Sequence, residues 1–169
     1  MPQLKIPKIW RRALLIAIPK PAKPLGDPKS YRPRSLLCVS FKILERLIYA
    51  RVDPLLPREQ ASFRHRRLTV DQVTLMTKDI KDSFSTKKKA GGVFVDLTAA
   101  YDTVWHCGHT CKLLQLLPDR HMVHMIMEMA GNCSFTLTTG IGKRSRLWRL
   151  KNGVPQGSVL APFSSTVLW

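Results

Sequence analysis

Residues 93–102 read VFVDLTAAYD, with Asp96 directly behind a short apolar run and a second carboxylate, Asp102, six positions on. A carboxylate at the end of a buried strand suits a hard cation, because Mg²⁺ takes oxygen donors and is commonly held by one or two carboxylates plus substrate phosphates. The same position suits a helix cap, with Asp96 accepting from the amides of Thr98 or Ala99, and spacing alone does not choose between these roles. Asp102, one to two turns into the helix expected to follow, is out of reach of a metal shared with Asp96 and reads as structural. HCGHTC at 106–111 gathers His106, Cys107, His109 and Cys111. Structural zinc normally draws its ligands from two separated pairs, and no second pair follows this run, so packing and surface roles are favoured. His121 and His124, three apart on an expected helix, are read the same way. GVPQGS at 153–158 lacks the spacing and lysine of a phosphate loop. DLT lacks the second aspartate of a phospho-aspartate hydrolase, and no GxSxG nucleophile elbow occurs.

These residues need elements to position them. ALLIAI at 13–18 is short, apolar and stopped by Pro19, which suits a strand. The Pro- and Lys-dense stretch IPKPAKPLGDPKSYRP that follows reads as an extended basic loop. Leu37, Phe41, Leu44, Ile48 and Val52 recur at helical spacing with Lys42, Glu45, Arg46 and Arg51 between them, an amphipathic helix ending near Asp53-Pro54. A second helix is expected from Thr69, with Thr69 and Gln72 as a capping box and Val73, Met76, Ile80 and Phe84 as its apolar stripe. Gly91-Gly92 precedes the expected strand VFVD, and a third helix is expected from about Thr98. A fourth begins at Pro118-Asp119, with Met122, Val123, Ile126, Met127 and Ala130 inward, and stops at Gly131-Asn132. SFTLTT and RLWRL pattern as a hairpin, and KNGVPQGSVLAP makes a tight backbone excursion. Helices mixed with a few strands indicate α/β or α+β.

The chain has 169 residues, enough for one domain with a real core, and 44% of them are hydrophobic, which excludes a disordered composition. Against 11 Asp and Glu stand 28 Lys and Arg, for a net charge of +17. Such an excess attracts polyanions, and nucleic acid is the expected class of partner. Four dispersed cysteines and the absence of a signal-peptide h-region give an intracellular, reduced chain as the expectation, in nucleus or cytoplasm. No apolar run is long enough to cross a bilayer, so no membrane partner is expected.

In order along the chain, SYRPRSLL (30–37), FKILERLIYARV (41–52), LPREQASFRHRRLTVDQV (56–73), VFVDLTAAYD (93–102) and KNGVPQGSVLAP (151–162) resemble successive blocks of the reverse transcriptases of non-LTR, LINE and jockey-like retrotransposons. The resemblance runs from about Pro7 to Pro162. It implies an α+β right-hand polymerase fold, with fingers over 1–90 and an incomplete palm over 91–169. It implies that Asp96 and the carbonyl of Leu97 bind catalytic Mg²⁺, with Mn²⁺ as the alternative metal. Tyr101 becomes the steric gate under the incoming sugar, Gln156 and Gly157 shape the nucleotide pocket, and Arg32 contacts the triphosphate. Lys20, Lys23, Arg64 and Arg67 become template or phosphate contacts. The implied partners are an RNA template, a DNA primer and deoxynucleoside triphosphates; oligomeric state is not implied. The implied reaction is two-metal attack of a primer 3′-hydroxyl on an α-phosphate. The chain departs from the family's pattern in SFRHRRLT (62–69), at Arg34, and after Pro162. No acidic residue follows Glu128, so the family's aromatic-x-Asp-Asp block is not met. The expectation is therefore a fragment that does not polymerise alone, with a non-catalytic basic nucleic-acid binder as the alternative.

Overall fold

Strand β1 (Arg12–Pro19) and strand β2 (Tyr31–Leu36) form an antiparallel hairpin, pairing Leu14 with Leu36 and Pro19 with Tyr31. This computed structural model describes residues 5–57, 59–97, 99–138 and 142–168. The basic loop expected after Pro19 is thus shorter than its composition suggested. Asp27 caps a 3₁₀ turn by accepting from the amide of Lys29, and Tyr31 re-enters the sheet. Pro33 is tolerated because β2 is an edge strand.

Helix α1 (Val39–Val52) leaves the sheet after β2 and buries Phe41, Glu45, Ile48 and Val52, a 4-3-4 spacing on one face. Glu45, expected among the interleaved polar residues, is therefore a buried one. Helix α3 (His106–Leu116) and helix α4 (Arg120–Ala130) pack together, with Leu113, Val123, Ile126, Met129 and Ala130 buried. Asp119 caps α4 through the amide of His121. Strand β3 (Ser134–Thr138) then runs parallel to β1, and strand β4 (Trp148–Arg149) pairs antiparallel with β3. The sheet order is β2-β1-β3-β4. Helix α5 (Ala161–Leu168) packs on α3. The fold is mixed α and β; the expected β3–β4 hairpin is present, and the β1–β2 hairpin, which the sequence did not suggest, joins it.

Two compact units divide the chain: residues 1–55 with 99–169, which hold all of the elements above, and residues 56–98. The second contains helix α2 (Thr69–Ser85). Its N-cap is Leu68, not Thr69, and Asp71 rather than Gln72 reaches back, its carboxylate accepting from the Leu68 amide at 2.8 Å. A leucine side chain has no acceptor, so only this half of a capping box exists. The stripe expected to face a core is exposed: Phe84 is 76% accessible and Val73 52%.

VFVD is not a strand. Val93 is 91% exposed and Phe94 86%, and residues 93–97 pair with no strand among the described residues. A strand needs a neighbour to satisfy its amides and carbonyls, and without one the apolar pattern alone does not make it. The third helix, expected from about Thr98, a position outside the described residues, begins later than expected. Residues 99–103 form a turn with Ala99 left-handed (φ +54), and α3 starts only at His106.

Candidate functional site

The turn at 99–103 exists because its carbonyls are claimed from elsewhere in the chain. The amide of Val154 donates to Tyr101 O at 2.8 Å, and that of Gly153 to Val104 O at 3.0 Å. A helix through this segment would need those carbonyls for its own amides. Gly153 has φ +81, and a Cβ there would lie 2.7 Å from Tyr101 O and 2.8 Å from Asp102 O. No side chain fits that approach. His106 Nε2 bonds Gly153 O at 2.8 Å, which fixes Nε2 as the protonated nitrogen. Val104, Val154 and Ala161 form a small core with Tyr101 packed against it.

The next residues are anchored to the sheet and to α1. Ser35 of β2 donates its amide to Gln156 O at 2.7 Å. Gly157, at φ +127, passes so close that a Cβ would lie 2.5 Å from Ser35 O. Beyond it Glu45 receives two hydrogen bonds, from the Ser158 hydroxyl and from the Val159 amide at 2.9 Å. Burial pushes the Glu45 carboxyl up, while the bonds from Ser158, Val159 and Leu160 and the charge of Lys42 pull it down. A carboxylate accepting both bonds is thus the clamp that holds PQGS between β2 and α1.

The result is a cleft lined by Leu15, Pro33, Ser35, Asp102, Phe135 and Gln156, among others. It encloses about 50 Å³, far below the several hundred Å³ of a complete ligand pocket, and so forms one wall of a site. Tyr101, Gln156, Gly157 and the strand carrying Arg32 come together in this unit, and Arg32 is exposed. Asp102 lines the cleft, although the sequence suggested only a structural place for it. Lys20 and Lys23 lie in the β1–β2 loop, Lys23 exposed and Lys20 donating through Nζ to Lys29 O at 3.0 Å.

Asp96, Leu97, Arg64 and Arg67 belong to the 56–98 unit. Arg64 donates through Nη1 to Pro57 O at 2.8 Å, ordering the turn before α2; Arg67 is exposed. Asp96 is exposed, and a carboxylate and the carbonyl of the adjacent residue are oxygen donors of the kind a hard cation accepts. Two donors are part of such a shell, and among the described residues no three of His, Cys, Asp or Glu gather as a cluster. The HCGHTC residues do other work: His106 holds Gly153, His109 is buried against Phe163, and Cys107 and Cys111 are exposed.

Sequence reasoning missed Glu45, Ser35 and His106 as the supports of the turn. Glu45 left a signal, since it shares a helix face with Phe41, Ile48 and Val52. Ser35 and His106 left none, because their partners are backbone atoms about 120 and 47 residues away.

Comparison with known proteins gives the same direction. The chain is 36% identical over 167 residues to the probable RNA-directed DNA polymerase from transposon BS of Drosophila melanogaster, covering 95% of this chain and 18% of that protein. It is 35% identical over 162 residues to the RNA-directed DNA polymerase from mobile element jockey of the same organism, again covering 18% of it and 92% of this chain. A retrovirus-related Pol polyprotein from type-1 retrotransposable element R2 of Popillia japonica is 26% identical over 161 residues, which is 94% of this chain and 22% of that one. The chain thus spans about a fifth of the length of the curated relatives it matches. A family profile described as reverse transcriptase (RNA-dependent DNA polymerase) matches residues 18–168, and the chain belongs to the reverse transcriptase family.

Proposed function

We propose that this chain is the nucleotide-binding portion of an RNA-directed DNA polymerase of a mobile element, with fingers over 1–90 and part of the palm over 91–169. One observation carries the reading. The PQG turn is clamped to β2 by the Ser35 amide on Gln156 O and to the 101–104 turn by the Val154 amide on Tyr101 O and the Gly153 amide on Val104 O, so Tyr101, Gln156 and the strand of Arg32 form a single preorganised wall. Pinning by backbone hydrogen bonds fixes such a wall without help from a ligand.

In this reading the Tyr101 ring lies under the sugar of an incoming deoxynucleoside triphosphate, and Gln156 with the Gly157 backbone shapes the pocket around it. Arg32, exposed at the sheet edge, takes the triphosphate, as a guanidinium suits bidentate contact with phosphate oxygens. Asp96 and the Leu97 carbonyl hold Mg²⁺, or Mn²⁺ in its place. When bound, the metal neutralises charge on the transferring phosphate and lowers the pKa of the attacking hydroxyl. Lys20, Lys23, Arg64 and Arg67 track the phosphates of an RNA template and a DNA primer.

The test is primer extension on an RNA template by a polypeptide that contains this chain, with Asp96→Ala beside the wild type. The expected result is loss of extension by at least about a thousandfold, with primer–template affinity within about twofold. Retained extension would sink the metal assignment.

A further inference from the structure

The registers of β1, β3 and β4 place Arg12 opposite Ser134 and Ser134 opposite Arg149. Residues facing each other across a sheet project from the same side, so two guanidiniums flank one serine. Neighbouring strands lie about 4.8 Å apart, which puts the Cα atoms of the two arginines roughly 10 Å apart. At that spacing two exposed like charges are largely screened from each other by solvent and salt, and an anion between them is attracted by both.

The surroundings add to that charge. Lys8, Arg11, Arg12, Asn132, Ser134, Leu147 and Arg149 line a cleft of about 390 Å³, and none of them is acidic. Arg11 is compensated, since its Nη1 meets Glu128 Oε2 at 3.2 Å and also donates to Glu128 O. Its Nε is buried without a partner among the described residues. Lys8, Arg12 and Arg149 are exposed, and their side chains make no hydrogen bond or ion pair among the described residues. Three uncompensated cations thus surround the neutral hydroxyl of Ser134 and amide of Asn132.

We propose that this cleft, which shares Ser134 with the cleft at the Gln156 wall, binds the sugar-phosphate backbone of a polynucleotide strand. Two arginines on one sheet row with Lys8 at the same cleft reach more than one phosphate, and the volume admits a phosphate with its sugar. Leu147, half exposed at the rim, offers that sugar an apolar contact. The inference rests on the reading that this chain handles nucleic acid.

The experiment is fluorescence anisotropy of a labelled 20-nucleotide single-stranded RNA with the 169-residue chain over a range of salt concentrations. The cleft variant is Lys8→Gln, Arg12→Gln, Arg149→Gln. The control, Lys87→Gln, Lys88→Gln, Lys89→Gln, removes equal charge from exposed positions after α2. Thermal melts verify folding, and Lys8→Gln alone, outside any strand, serves if the arginine changes disturb the sheet. The cleft variant should bind about tenfold or more weakly, with a log–log salt slope smaller by about two, since each single-strand phosphate contributes about 0.7. The control should stay within about twofold. Equal losses in both variants would overturn the cleft and leave only bulk charge. Saturable binding of inorganic phosphate that the cleft variant abolishes, with RNA affinity unchanged, would overturn it in favour of a small anion. A wild type that binds no RNA would sink the proposed function as well, whereas binding wild type with variants alike sinks the cleft alone.

Discussion

At the scale of single residues, His109 is the most consequential group outside the cleft. Its ring is fully buried, both nitrogens lack a hydrogen-bond partner among the described residues, and it meets Phe163 edge-on at 6.4 Å. Burial, with the charge of His106 second, pushes its pKa down from 6.5 to about 4. The unfolded ring takes a proton near 6.5 and the folded ring only near 4, so the unfolded state gains stability as pH falls through that window. The contribution is fully present above pH 6.5, declines toward pH 4 and is flat below it, with a span of roughly 3 kcal/mol. Urea titrations at pH 7.5 and pH 4.5 should show His109→Leu losing less stability than wild type on acidification. Parallel losses would overturn the assignment. Cys133 is the opposite kind of buried group. Burial pushes its thiol up to about 11, and Sγ–H donates to Met129 O at 3.2 Å, so it is a packing residue and not a nucleophile.

At the scale of elements, the informative contact joins α1 to the PQGS turn. Glu45→Ala leaves the Ser158 hydroxyl and the Val159 amide without their acceptor, at a cost of about 2–4 kcal/mol. Glu45→Gln keeps an acceptor oxygen and should cost less. Gly157→Ala drives a methyl into Ser35 O at a left-handed backbone position and should release the turn from β2. Denaturant midpoints, with amide exchange at Ser35 as the local reporter, check both changes; protection of Ser35 unchanged in Gly157→Ala would refute the clamp. This contact also marks where the sequence stops being legible. β1, α1, α4 and the β3–β4 hairpin follow from periodicity and their stop signals, because each pattern is local. VFVD has an equally clear strand pattern, yet its outcome depends on a neighbour outside the segment. The turn at 99–103 depends on amides some 50 residues further on. Asp96, Tyr101, Gln156 and Gly157 were visible as members of recognisable blocks, while Glu45, Ser35 and His106 were not, since supporting residues leave no spacing of their own.

At the scale of the whole molecule, the two compact units differ in how they are held. The unit of 1–55 and 99–169 has a buried core, whereas α2 in the 56–98 unit buries none of its residues. A helix of 17 residues without a packed face is marginal by propensity alone. Hydrogen exchange followed by mass spectrometry should therefore find α2 amides exchanging about a hundredfold or more faster than those of α1 and α4. Equal protection would show that the stripe of Val73, Met76, Ile80 and Phe84 is covered in solution. The centre of the sheet has a different consequence. β1 pairs in parallel with β3, about 120 residues later in the chain. On a ribosome adding roughly 5–20 residues per second, the β1–β2 hairpin, complete at Leu36, emerges about 5–20 seconds before the strand that closes its open edge. During that interval the nascent chain presents unpaired backbone beside Leu14, Leu15 and Ile16, and its yield in a cell is set by whatever shields that edge until β3 arrives.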